Sequence, residues 1–316
     1  MITLWAPGGV GEVRRDDALA DHLLPVVELL DGDIVCVTSK VVSKAEGMVE
    51  AGDRAEAIAR ETRRLVARRG PLSIVVNRLG LTMAAAGVDA SNVERGHVLL
   101  LPEDPDRTAR TLRAAVADRT SANVAVIVTD TAGRPWREGQ TDIAIGAAGL
   151  RILDDHAGRV DPYGNTLAVT APAVADELAG AAELAGGKLG RRPFVVVRGR
   201  ADLVLASGED GPGAAGLLRP EGEDLFGLGS REAVLTALAG ADADRRVFGA
   251  PLEAADLCAL LAALTGVEVD HAAGDAIAVV SDTPRTRWVA EVAAYAHGWC
   301  VAEHEPTLLL LRPVTP

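Results

Sequence analysis

The residues 124–142, VAVIVTDTAGRPWREGQTD, concentrate chemistry-bearing types more densely than any other stretch of the chain. A fully apolar run delivers Asp130 and Thr131 to what reads as a strand end, and a Gly and Pro turn then presents Arg134, Trp136 and Arg137. A carboxylate beside a hydroxyl is hard-oxygen ligation, suited to Mg2+ or Mn2+. The two arginines are suited to gripping an anion bidentately. An aspartate here would also serve as a helix N-cap, with the arginines pairing to acidic neighbours.

A second group lies in IVCVTSKVVSKAEG, where a strand ends at Thr38, Ser39 and Lys40, and Lys44 follows four residues later. Hydroxyls, backbone N–H groups and ammonium charges at a strand end can neutralise a polyphosphate. Solvated surface lysines are the plain counterpart. Scarcity favours a function: lysine occurs only at Lys40, Lys44 and Lys188, whereas arginine is abundant, and the two cations are not interchangeable. A third group is NRLGL at 77–81 with AAGVDASN at 85–92. Asp89 could ligate a cation and Asn92 could bond a base or ribose, although an Asx turn explains the pattern equally well.

Standard fingerprints are absent. There is no GxxxxGK[ST], no GxSxG, no HExxH and no CxxC, and Gly8, Gly9 and Gly11 lead into Glu12 and Val13 without completing GxGxxG. That opening reads as a turn, with an unfamiliar phosphate site as the alternative. His22, His97 and His156 show no ligand spacing. DPYGN at 161–165 is a turn by composition, with Tyr163 and Asn165 left open, and Asp176 and Glu177 suit the start of a helix.

The elements that must position these groups alternate. Short β-branched runs predict strands over 33–37, 72–76, 97–101, 123–128, 194–197, 276–280 and 307–311. Amphipathic spacing predicts helices over 16–30, 54–68, 107–119 and 173–185. This is the pattern of an α/β (α+β) protein. The stretch 207–216 reads as a mobile Gly-rich loop and 239–246 as a linker, which places a boundary near residue 240.

Composition narrows the function classes. The chain has 316 residues, with 45 acidic against 32 basic, a formal charge of −13, which argues against a surface built to neutralise nucleic-acid backbones. Four Trp, two Tyr and three Phe leave few rings for stacking a base or flavin. Cys36, Cys258 and Cys300 are odd in number and widely spaced, so neither a disulfide framework nor a structural zinc site is expected. With no signal-like opening and no long apolar span, a cytoplasmic protein is expected.

Taken together, VTSKVVSKAEG, NRLGL with AAGVDASNV, VTDTAGRPWREGQTDIAIGAAGL, DPYGNTLAVT with AVADELAGAAEL, and RPEGEDLFGLG closely resemble the coenzyme F420-0:L-glutamate ligase family, the gamma-glutamyl ligases of deazaflavin biosynthesis. The resemblance spans about residues 3–237. It implies a family-specific α/β fold forming an intertwined homodimer. It also implies GTP-dependent addition of L-glutamate to coenzyme F420-0, with γ-linked glutamylation of the product, using two Mg2+ or Mn2+ ions and often K+. On matching positions it implies GTP contacts at Val10, Gly11, Glu12, Val13, Ser39, Lys40, Lys44 and Asn92, and metal contacts at Asp89, Asp130 and Thr131. Two positions depart from the pattern: Val10-Gly11 stand where Leu-Pro is usual, and Lys188 stands where archaeal relatives carry a glutamate tied to the second metal.

The implied chemistry is activation of an inert carboxylate as an acyl phosphate, which the glutamate amine then attacks. Lys44 would stabilise the moving charge, and Arg134 and Arg137 would bind the acidic substrate or its growing tail. The expected partners are small molecules only. Residues 1–240 are expected to form the ligase domain. Residues 241–316 are expected to be a shortened appendage where actinobacterial relatives carry a flavin-binding nitroreductase-like domain, whose opening RRVFGAPL at 245–252 faintly resembles. Two competing readings are a flavin or deazaflavin oxidoreductase activity in that tail, and a silent GTP- and metal-binding homologue.

Overall fold

A computed structural model describes residues 1–220, 222–271 and 276–314. Glu221, inside the RPEGEDLFGLG motif, lies outside the described residues. The chain is mixed α/β and folds as two compact units: one comprises residues 1–65 and 70–218, the other residues 66–69 and 219–316.

The first unit is built on a five-stranded sheet. Its strands are β1 (Thr3–Trp5), β2 (Ile34–Thr38), β8 (Ala125–Arg134), β9 (Arg137–Ala148) and β10 (Phe194–Arg198), in the order β1-β10-β2-β8-β9. Only β2 and β8 run parallel. Both are near-continuous apolar runs because both faces of the sheet are covered. Val35, Val37, Val126 and Val128 face one core with α1 (Leu19–Leu23), α2 (Ser39–Ala45) and α4 (Pro105–Thr120). Ile34, Cys36, Ala125 and Ile127 face the other, against α5 (Val174–Gly186). Smaller antiparallel pairs flank this sheet: β3 (Val49–Ala51) with β7 (His97–Leu99), and β5 (Leu72–Asn77) with β6 (Thr82–Ala84).

Three sequence expectations are corrected. The helix expected over 16–30 is only α1, because Pro25 has no N–H to continue it. The helix expected over 54–68 stops at Glu61 as α3 (Arg54–Glu61). Thr62 turns extended, its hydroxyl donating to the Ile58 carbonyl at 2.6 Å, and β4 (Thr62–Arg69) follows. The period of burial in β4 is two, outweighing the helix propensity of its arginines. The loop at 207–216 is pinned rather than mobile: the buried Arg113 guanidinium donates to the carbonyls of Ala206 and Glu209 and to Asp210, while Asp106 accepts from the Ala214 N–H at 2.7 Å.

The second unit contains α6 (Ser230–Ala239), α7 (Ala254–Thr265), α8 (Pro284–Ala296) and a four-stranded antiparallel sheet, β11 (Val269–His271), β12 (Ile277–Val280), β13 (Trp299–His304) and β14 (Leu308–Pro313), in the order β11-β12-β14-β13. Its core joins Leu257, Leu261, Ile277, Val279, Ala290, Trp299, Leu309 and Leu311. The indole N–H of Trp299 donates to the Leu252 carbonyl at 2.8 Å.

Candidate functional site

β2 pairs with β8 as far as Thr38 opposite Thr129. At Ser39 the chain leaves the sheet into α2, whereas β8 runs on through Asp130 and Thr131 to Arg134 and returns as β9. Asp130 is therefore inside a strand, neither a strand end nor a helix cap. The departure of β2 leaves Asp130 facing the first residue of α2. The Ser39 hydroxyl donates to Asp130 Oδ1 at 2.6 Å, joining two motifs 91 residues apart. Burial, and secondarily the charge of Asp142, push the Asp130 carboxyl up to about 6 against the opposing Ser39 hydrogen bond.

Alternation along the hairpin then separates the candidate ligands. Successive side chains of a strand point to opposite faces. Val128 and Asp130 share the α2 face, whereas Thr129 and Thr131 face α5. A bulge places Val128 opposite Gly146 but Thr129 opposite Ala144, leaving Ile145 as the extra residue of β9. Asp142, opposite Thr131, consequently lies on the α5 face. There it accepts from the hydroxyls of Thr131 at 2.7 Å and Thr129 at 3.2 Å. Sequence reading passed over this buried carboxylate, although it closes the stretch densest in chemistry-bearing residues, twelve residues after Asp130. Asp176 likewise has a structural task, accepting from the Ala144 N–H at 2.9 Å beside the bulge.

On the α2 side, Lys40 meets Asp89 Oδ2 at 2.6 Å and donates to Ser91 Oγ at 2.6 Å. Burial works against the Asp89 charge, but Lys40 and Ser91 outweigh it and hold the carboxyl below its usual range. The Ser91 N–H donates to Asp89 Oδ1 at 2.9 Å, so the Asx turn and the lysine contact coexist. Asp89 is pinned by reciprocal backbone bonds to Leu99. The preceding loop is shaped by buried Asn77, whose Oδ1 accepts from the Leu79 and Leu81 N–H groups. Gly87, at φ +79°, has no room for a Cβ, which would stand 2.6 Å from the Leu101 side chain. Asn92 is exposed with φ +57°, its amide 3.5 Å from Ser91 Oγ.

One turn further along α2, Lys44 donates to Glu12 Oε1 at 2.5 Å, and this hydrogen bond holds the Glu12 carboxyl below its usual range. Gly11 is exposed, while the side chains of Val10 and Val13 turn into the core. Arg134 and Arg137 sit at the exposed tip of the hairpin, where Arg134 donates to the Glu138 carbonyl at 3.1 Å. The fold thus joins Ser39, Lys40, Asp89 and Asp130 through linked contacts, with Lys44 and Glu12 paired along α2. It sets the arginines apart at the hairpin tip. DPYGN is an Asx turn, Asp161 accepting from the Tyr163 and Asn165 N–H groups, and Tyr163 is exposed.

The family F420-0:Gamma-glutamyl ligase matches residues 48–199, which contain Asp89, Asn92, Asp130 and Thr131. The coenzyme F420:L-glutamate ligase of Methanopyrus kandleri is 41% identical over 210 residues, covering 60% of this chain and 83% of that one. Those of Methanothermobacter thermautotrophicus and Archaeoglobus fulgidus are each 39% identical, covering 98% and 88% of their lengths and 71% and 63% of this chain. The chain belongs to the F420-0:gamma-glutamyl ligase family. In this family member, oxygen donors suited to a hard cation meet at Asp130 and Ser39, with Asp89 linked through Lys40. Among the described residues no group of three or more His, Cys, Asp and Glu forms a metal cage. Carboxylate and hydroxyl oxygens are the donor types that suit Mg2+, so the chemistry of these side chains fits such an ion. Among those residues, too, no helix is long and apolar enough to cross a membrane.

Proposed function

We propose that the chain is a GTP-dependent ligase that joins L-glutamate to coenzyme F420-0 and extends the product by γ-linked glutamylation. The observation carrying this reading is the Ser39–Asp130 hydrogen bond, which brings the lysine-bearing and carboxylate-bearing motifs into one site. The names of the relatives support the substrate pair.

A carboxylate is a poor electrophile because its resonance-stabilised anion repels an amine. Transfer of the γ-phosphoryl group to the precursor carboxylate gives an acyl phosphate, and the glutamate amine then displaces phosphate. Asp130 and, once the partly exposed Lys40 ammonium has turned from it to the triphosphate, Asp89 would hold Mg2+ or Mn2+, which when bound neutralises charge on the transferring phosphates. Lys40 and Lys44, four residues apart on one face of α2, present two ammonium groups to the triphosphate. Ser39 orients Asp130 by donating to Oδ1. The backbone of 10–13 lies beside Lys44 through Glu12 and forms the floor of the nucleotide site. Asn92, exposed beside the Asp89 turn, faces the nucleoside. Arg134 and Arg137, exposed on the hairpin tip, bind the acidic tail of the substrate and offset a surface of net charge −13. Homodimeric assembly, K+ as an activator and a cytoplasmic setting belong to the same proposal.

Mass spectrometry of the precursor incubated with GTP, Mn2+ and glutamate tests the reading. A ladder of glutamyl increments is expected, with turnover lowered about 100-fold or more in Asp130→Asn, as when a preorganised charge-stabilising group is lost. No increment in the native protein overturns the reading, and full activity of that variant at limiting metal overturns the role given to Asp130.

A further inference from the structure

On the α5 face of the hairpin, the position for a cation is held by a side chain of the protein. Helix α5 ends at Gly186, and Gly187, at φ +67°, turns the chain so that Lys188 comes back over β9. Its ammonium donates to Thr131 Oγ1 and lies 3.3 Å from Asp142 Oδ1 and 3.1 Å from Glu183 Oε1. Three oxygens from three elements therefore converge on one nitrogen, and one of them belongs to a buried carboxylate. Asp142 has no room to relax into water, so whatever cation sits here is needed whether or not substrate is bound.

Resting on the ligase reading above, we propose that Lys188 is the resident cation of this second face, reserving Asp142, Thr131 and Glu183 from divalent metal. The chain then binds a single divalent ion per nucleotide, on the Asp130 face. Two observations carry this. Strand alternation puts Asp130 and Thr131 on opposite faces, so the two oxygen sets are separate positions. The ammonium also contacts every member of the second set. A divalent ion drawing on the same three oxygens would lie within a few ångströms of Nζ, where two cations repel strongly. Removing the ammonium leaves two carboxylates and a hydroxyl, a hard-oxygen set of the kind Mn2+ takes.

The test counts bound Mn2+ by equilibrium dialysis of the full chain saturated with a non-hydrolysable GTP analogue. The native protein is expected to bind one equivalent and Lys188→Glu two, because that substitution adds a carboxylate where the ammonium was. Lys188 is half-exposed, and Lys188→Met, which keeps the stem but leaves Asp142 without its ammonium, controls for folding through an unchanged far-UV circular dichroism spectrum, with a thermal midpoint lowered in metal-free buffer; it too is expected to gain Mn2+ binding, more weakly. Two equivalents in the native protein, or one in both the native protein and Lys188→Glu, overturn the inference. In either case a glutamyl ladder from the same preparation leaves the ligase reading standing. Absence of any bound Mn2+ in the native protein overturns the metal assignment and this inference together.

Discussion

At the scale of single residues, the site is a contest between burial and compensation. Asp130 and Asp142 lie on adjacent strands, and the charge of Asp142 opposes the ionisation of Asp130, yet each is treated differently. Asp142 receives two threonine hydroxyls and an ammonium. Asp130 receives the Ser39 hydroxyl and the more remote charge of Lys40, and its carboxyl is pushed from 3.8 up to about 6. The folded chain therefore keeps a proton on Asp130 at pH values where the unfolded chain has released it. Between about pH 4 and about pH 6 the native state binds more protons, so its stability from this group falls as pH rises and levels off above about 6. In urea unfolding without ligands, Asp130→Asn is expected to gain stability relative to the native protein between about pH 4 and about pH 8. A difference that stays constant or runs the other way removes the burial argument.

At the scale of elements, the bulge in β9 and the early end of β2 do the positioning. Ending β2 at Thr38 opens the space that Ser39 and Asp130 share. The bulge resets alternation, so Ala147 faces the α5 core while Asp142 keeps the same face farther out along the hairpin. Gly146, at the bulge, abuts α4 so closely that a Cβ would stand 2.5 Å from the Pro105 carbonyl carbon and oxygen. Backbone cannot swing aside as a side chain can, so Gly146→Ala is expected to cost about 2–3 kcal/mol through overpacking. Chemical denaturation measures it; a loss below about 0.5 kcal/mol would show that α4 and the hairpin are not locked together. The motifs in β2, α2 and β8 were legible because apolar runs ended in rare polar types. The hairpin was not, because GRPWREG reads as a loop until the two flanking strands are seen to pair.

At the scale of the molecule, the two units have separate cores. Among the described residues, none in the core around Trp299 comes from the first unit, and none in the first unit's core clusters lies beyond Leu217. The boundary suggested by composition lay near 240; contacts divide the chain at Leu218 and Arg219, with the segment 66–69 grouped with the second unit. A four-residue excursion of that kind leaves no mark in composition. Trp299 is 2% exposed and hydrogen-bonded through its indole. Trp299→Ala is expected to cost the second unit about 3–5 kcal/mol. Scanning calorimetry should show a transition moved to lower temperature, and an unmoved trace would place the stability of residues 219–314 elsewhere.

The amino-acid sequence alone determined the class of fold, the family, and which residue types stand ready for phosphate and hard-cation chemistry, since these depend on local pattern and on rare residues in a fixed order. Tertiary structure decided the pairing. Which lysine meets which carboxylate, that Asp130 and Thr131 point to opposite faces, and that Asp142 lies buried beneath Lys188 all depend on strand register and on one inserted residue. A one-residue change of register turns every later side chain to the other face, and no local pattern records where that change falls.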